Sequence, residues 1–211
     1  MVNIVILFFG NERKLFSMNA SDIQDILPLV HQPSRYLGSE VNRIRKNLDR
    51  VDLKVALAYP DLYEVGTSHF GLQILYDILN RREEIAAERV FAPGLDMEAR
   101  LRDAGHPLTT LESGLPLGAV DIVGFSLLYE LNFTNVLTML DLSGIPLRSR
   151  DRDASHPLII AGGPCTVNPE PVADFFDAIV VGDGESVLLE MADCWLAWRS
   201  GGDGRRETLL R

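Results

Sequence analysis

Cysteine is scarce in this sequence: Cys165 and Cys194 are the only two among 211 residues, and they stand far apart. With no Cys-x-x-Cys pair and no histidine at metal-ligand spacing, a disulfide framework and a zinc site are both excluded, and a reducing, cytoplasmic setting is expected. Positive charge is also in short supply. Twenty Lys and Arg face thirty Asp and Glu, a net charge of -10, which argues against a protein held on nucleic-acid phosphates by charge alone. No apolar run has transmembrane length. The opening run Val2 to Phe9 has no basic region before it and no small-residue cleavage site after it, so it reads as a buried strand or an N-terminal extension, and no membrane partner is expected. Repeats and low-complexity tracts are absent. What is present, 46% hydrophobic and 24% charged residues, is the composition of a folded domain with a proper core.

Three zones are expected: residues 1–50 as an N-terminal extension and helical appendage, 51–199 as the main domain, and the glycine-rich stretch 200–211 as a linker. In the appendage, Ser21 and Gln24 have capping-box spacing ahead of Ile26, Leu27 and Val30, which predicts a short helix limited by Pro28. From Leu53 the pattern becomes strand, then helix, repeatedly. Strands are predicted at 53–59, 88–91, 108–111, 121–126, 157–161 and 178–181. Helices are predicted at 69–81, 95–104, 131–143, near 171–175 and at 185–199. Runs such as Asp121-Ile-Val-Gly-Phe125 and Leu158-Ile-Ile-Ala161 are continuously apolar, as in strands covered on both faces. The expectation is a doubly wound α/β fold with a mostly parallel sheet of five or six strands.

Ligands of such sheets lie beyond the carboxyl ends of the strands, because the loops are free there and helix N-termini point their amides outward. The loops at that end are distinctive. The first strand runs into Pro60-Asp61-Leu62-Tyr63-Glu64-Val65-Gly66-Thr67-Ser68, the strand ending at Phe125 into Ser126-Leu127-Leu128, the next into Gly162-Gly163-Pro164-Cys165, and the last into Gly182-Asp183-Gly184-Glu185. Each piece alone suits turn chemistry. Together they form a rim of polar and glycine positions around one crevice.

In order and strand position these pieces resemble the cobalamin-binding domain, a flavodoxin-like fold with D-x-H-x-x-G after the first strand, S-x-L after a central strand and G-G after the next. Asp61 to Gly66 fits the first motif except that Tyr63 stands at the histidine position. Ser126-Leu127-Leu128 and Gly162-Gly163 fit the other two. In that family the histidine binds cobalt and the aspartate orients it; a phenol with a pKa near about 10 is a poor replacement. Over about residues 32–199 the sequence is similar to the N-terminal region of B12-binding-domain radical SAM proteins. In these, a downstream barrel with C-x-x-x-C-x-x-C holds a [4Fe-4S] cluster that cleaves S-adenosylmethionine.

The resemblance implies a corrinoid site formed by Asp61, Tyr63, Gly66, Thr67, Ser126, Leu128, Gly162 and Gly163. The partners it implies are a small-molecule corrinoid and the radical SAM barrel of the same full-length protein. The cluster motif needs three cysteines and this sequence has two, so the iron–sulfur cluster and S-adenosylmethionine are assigned to the barrel, and this chain is expected to be the N-terminal part of a larger enzyme. No catalytic or metal-binding residue is assigned within it. Two readings stay open. In one the domain positions cobalamin for methyl transfer or related radical chemistry; in the other it has lost the cofactor and serves as a docking or substrate-recognition cover. A nucleotide or flavin binder is weaker, since no G-x-G-x-x-G or P-loop follows the first strand. His69 reads as a cap or surface residue, and Cys165 and Cys194 as packing residues.

Overall fold

The structure, a computed structural model, describes residues 21–201, with side chains from Ile23 onward. The Val2–Phe9 run and nearly all of the 200–211 stretch lie outside the described residues, as does the Ser21 side chain of the expected capping box. Helix α1, Ser21–Ile26, passes into a 3-10 turn at Pro28, whose missing amide cannot continue an α-helical ladder. The main domain holds β1 (Leu53–Tyr59), the one-turn helix α2 (Tyr63–Gly66), α3 (Phe70–Asn80), β2 (Ile85–Phe91), α4 (Leu95–Ala104), β3 (Ile122–Ser126), α5 (Phe133–Leu142), β4 (Leu158–Gly162), β5 (Ala178–Ile179) and α6 (Gly184–Gly201).

The five strands form one parallel sheet in the order β2-β1-β3-β4-β5, the flavodoxin-like order. Alternate residues of each strand feed two cores, the period of two that a pleated strand imposes. Leu53, Val55, Leu57 and Tyr59 of β1, with Ile122, Leu158 and Ile160, pack under α3 and α6 through Leu72, Tyr76, Leu79, Leu188 and Trp195. Ala56 and Ala58, with Val123, Phe125, Ile159 and Ala161, pack under α4 and α5 through Met97, Leu101, Val136, Met139 and Leu140, with Ile26 of α1 joining them. This is the doubly wound α/β architecture expected from the continuously apolar strands.

Residues 108–111 are not a strand. They belong to a tight loop with one antiparallel bridge, Thr109 to Pro116, and Gly114 in the left-handed region at its tip. The loop instead serves the outer edge of β2. There the Leu111 amide donates to the Arg89 carbonyl, the Glu112 carboxylate accepts from the Arg89 amide, the Asn80 side chain takes both the amide and the carbonyl of Ala87, and Lys46 Nζ donates to the Ile85 carbonyl. The outward backbone groups of Ile85, Ala87 and Arg89 are thus all satisfied without a neighbouring strand.

The amino ends of the strands are stitched by two aspartates. Asp121 accepts from the Lys54 amide at 2.8 Å and from Arg199 at 3.0 Å, which joins β1, β3 and α6. Asp177 accepts from the Ile159 amide at 2.7 Å and pairs with Arg152 at 3.2 Å; both side chains of that pair are withdrawn from solvent.

Candidate functional site

Register sets the carboxyl end. Ala58 lies beside Phe125, and Ser126 beside Gly162, so Tyr59, Ser126 and Gly162 end three adjacent strands in one row on the α3/α6 face. Ser126 is half-buried, and its hydroxyl bonds to no other described residue. A Cβ placed on Gly162 would meet open space. Gly163 is a different case. Its φ of +105° is open to glycine, and a Cβ there would sit 2.8 Å from the Leu127 carbonyl oxygen, whose strand-end peptide bonds to Gly162 and Cys165. Leu128 leans into the α3/α6 core. Tyr59, only 2% exposed, fills the β1 end of the row with its ring tilted against His69 at 5.6 Å.

The loop after β1 turns to the opposite side of that strand. Tyr63 sets its ring edge-on against Phe91 of β2 at 5.4 Å and donates its hydroxyl to Glu40 at 2.7 Å. Burial, and then the carboxylate it bonds, pushes its pKa up to about 12. Gly66 closes α2 directly on the Phe91 and Tyr59 rings, where any Cβ would overlap Phe91. Thr67 ends the helix, its carbonyl accepting from Gln73. The cap of α3 is His69, whose Nδ1 accepts from the Leu72 amide at 3.1 Å; Thr67 and Ser68 do not take that role. Burial lowers the His69 pKa.

Asp61 accepts from the Leu62 amide at 2.7 Å and lines a cleft of about 730 Å³ with His31, Arg35, Gly94, Asp96 and Asn135. Two polar pairs stand at this cleft: His31 bonds Asp96 at 2.9 Å and Arg35 bonds Glu64 at 2.7 Å. Hydrogen bonds from the His31 amide and ring hold Asp96 at a pKa of about 2.

The eight residues singled out in the sequence therefore fall into three places. Ser126, Leu128, Gly162 and Gly163 gather at the ends of β3 and β4; Tyr63, Gly66 and Thr67 sit over the β1–β2 side; Asp61 faces the cleft. Tyr63, at the position of the resembled family's histidine, is a poor cobalt ligand as it stands, since its phenol keeps its proton and donates it to Glu40. Among the described residues no three His, Cys, Asp or Glu side chains converge on a metal position. Sequence reasoning missed Glu40, which accepts from the Tyr63 hydroxyl, Tyr59 at the end of the row, and Arg89 and Glu112, which stand behind Glu40. Arg89 bonds Glu112 at 2.6 Å, lies 3.4 Å from Glu40 and rests over the Tyr76 ring at 5.0 Å. The available signal was a charged pair, Glu88-Arg89, inside an otherwise apolar strand.

The family model for the N-terminal region of radical SAM proteins matches residues 71–211, two thirds of the chain. The chain belongs to that family. The match takes in the Ser126 and Gly162-Gly163 row and begins beyond the Asp61–Gly66 loop. Membership implies S-adenosylmethionine and an iron–sulfur cluster in the full-length protein, whose thiolate ligands are not supplied by a buried Cys165 and an exposed Cys194. No curated protein matches the chain significantly. No helix among the described residues is long and apolar enough to cross a membrane.

Proposed function

We propose that this domain is a docking module of a radical SAM protein, which lays the carboxyl end of its sheet against the radical SAM barrel of the same full-length protein and holds no cofactor of its own. One observation carries the reading. Every connection that follows a strand presents at least one apolar side chain to solvent near that end: Phe70 at the start of α3 after β1, Leu95 at the start of α4 after β2, Leu131 in the turn after β3, Val167 in the turn after β4 and Val181 after β5, with Leu131 90% and Leu95 85% exposed. Scattered exposed leucines need no explanation, but an exposed apolar side chain in every connection around a single rim, with Val65 and Tyr129 adding to it, suits a surface that is covered in use. The engagement of Tyr63 with Glu40 supports the same reading, because it leaves the first motif without a ligand for cobalt. The exposed, unpaired Cys194 and the cluster chemistry of the family suit a reducing cytoplasm.

The second reading, a corrinoid carried on this domain, draws support from the unengaged Ser126 hydroxyl and the open space over Gly162. One pair of experiments separates the two. Hydrogen exchange of the full-length protein, compared with the 211-residue chain, is expected to show slower exchange around Leu95, Leu131 and Val167 when the barrel is present; equal exchange would sink the docking proposal. Titration of both with hydroxocobalamin, followed by desalting and an absorbance spectrum, is expected to leave no corrin. Retained corrin that Ser126→Tyr or Gly162→Trp abolishes would establish the second reading instead.

A further inference from the structure

Residues 38–46 lie across the α3/β2 flank and are fixed there almost wholly by polar bonds, each to a different element. Glu40 accepts from Tyr63 of α2; the Ile44 amide donates to the Tyr76 hydroxyl of α3 at 2.7 Å, and that hydroxyl donates back to the Ile44 carbonyl at 3.2 Å. Arg45 donates to the Glu112 carbonyl at 2.6 Å, and Lys46 donates to the carbonyls of Arg82 and Ile85. Only Gly38, in the left-handed region and pressed against the Leu111 carbonyl, is fully buried; Ile44 is half-buried, and Val41 stands free in solvent. A segment that is largely exposed and has few buried apolar contacts belongs to the low-stability end of a structure, where opening occurs without global unfolding.

The charges around its anchor point the same way. Glu40 and Glu112 both face Arg89, which gives Glu112 a 2.6 Å bond and leaves the inner oxygen of Glu40 buried at 3.4 Å with no hydrogen bond. The guanidinium groups of Arg43 and Arg45 are spent on the carbonyls of Gly38 and Glu112. The firm hold on Glu40 is therefore the Tyr63 hydroxyl.

We infer that residues 38–46 form a latch that opens as a unit while the sheet stays folded, and that Tyr63, at the position where the resembled family has its axial histidine, is the catch of that latch. The catch joins the latch to α2 and so to the loop after β1, which carries Val65 and leads to Phe70. The inference stands on the flank geometry and is independent of the docking reading. Amide exchange of the 211-residue chain, followed by NMR, tests it. In Tyr63→Phe the Arg43 and Ile44 amides, together with Val65, Gly66 and Thr67 of α2, are expected to exchange about tenfold faster, while β1 and β3 amides keep their rates. In Tyr76→Phe, Ile44 is expected to speed up and α2 to stay as it was. The latch is overturned if Arg43 and Ile44 do not respond to Tyr63→Phe, or if in the parent chain they exchange only at the rate of the sheet. Cobalamin binding has no bearing on either outcome.

Discussion

The two ends of the sheet are built from different chemistry. At the amino end, Asp121 and Asp177 reach across strands to backbone amides and are held in turn by Arg199 and Arg152, so charge is turned inward and satisfied. At the carboxyl end the ties are neutral, Asn135 donating to the Pro60 carbonyl and Thr166 to the Val180 carbonyl, and they stand beside glycine, an unengaged serine and solvent-exposed apolar side chains. Charge is spent on structure at the amino end, whereas the carboxyl end keeps the Ser126 hydroxyl and several apolar side chains unspent. That division follows from the direction of a parallel sheet, since only its carboxyl edge brings loops and helix N-termini together.

The contrast is most sharply broken at its buried ion pair. Arg152→Ala strands the Asp177 carboxylate in the interior and is expected to cost about 3–5 kcal/mol, seen in urea as a lower midpoint with an unchanged slope. At the carboxyl end the two adjacent glycines divide. Gly163→Ala forces a left-handed backbone and crowds the Leu127 carbonyl, at a cost of about 1–3 kcal/mol, whereas Gly162→Ala enters open space and is expected to stay within about 0.5 kcal/mol of the parent in the same titration. Equal losses at both would show that the open crevice is not open.

A smaller effect is set by the phenols on the β2 flank. Tyr63 and Tyr76 both have pKa values raised to about 12, chiefly by burial, against about 10 in an unfolded chain. Their contribution is whole below pH 10 and is lost as pH rises through 12, because the unfolded state releases phenol protons that the folded state retains. Stability is therefore expected to fall between pH 10 and 12, and to fall less in Tyr63→Phe; an identical pH profile for parent and variant would remove Tyr63 from the account. Smallest of all, Leu131→Asp is expected to change the urea midpoint of this chain by no more than about 0.5 kcal/mol in free energy, because the residue stands in solvent. The same change in the full-length protein is expected to speed exchange along the rim.

Much of the framework was legible because local signals and tertiary packing agree. Strand β1 matches its expected limits, closed by Pro60, and α4 matches through Gly105, which ends it in the left-handed region. Strand β2 was read three residues short, since Glu88 and Arg89 interrupt its apolar run. They are buried only because Thr110, Ser113 and Glu112 satisfy them from a distant loop, and no local pattern announces such partners. Residues 108–111 have β-favouring composition but spend their backbone on loop closure and on Arg89. At the site, the S-x-L and G-G pieces were read into one place because they end adjacent strands. The Asp61–Gly66 loop was not separable from them by sequence, because the side of β1 to which it turns is fixed by Glu40, twenty-three positions away from Tyr63. The exposure of Phe70 was likewise hidden, since it sits on the apolar period of α3.

The outer edge of β2 has a consequence for how this protein behaves in a crowd. An uncapped edge strand is a template on which further strands add, and repeated addition is the route to cross-β deposits. Here three side chains, those of Asn80, Glu112 and Lys46, together with the Leu111 amide, occupy the positions that an incoming strand needs. Growth of the sheet from that side is stopped by the loop that carries Leu111 and Glu112 together with the Asn80 and Lys46 side chains, so resistance to aggregation at this edge rests on a few positions and is open to loss at them.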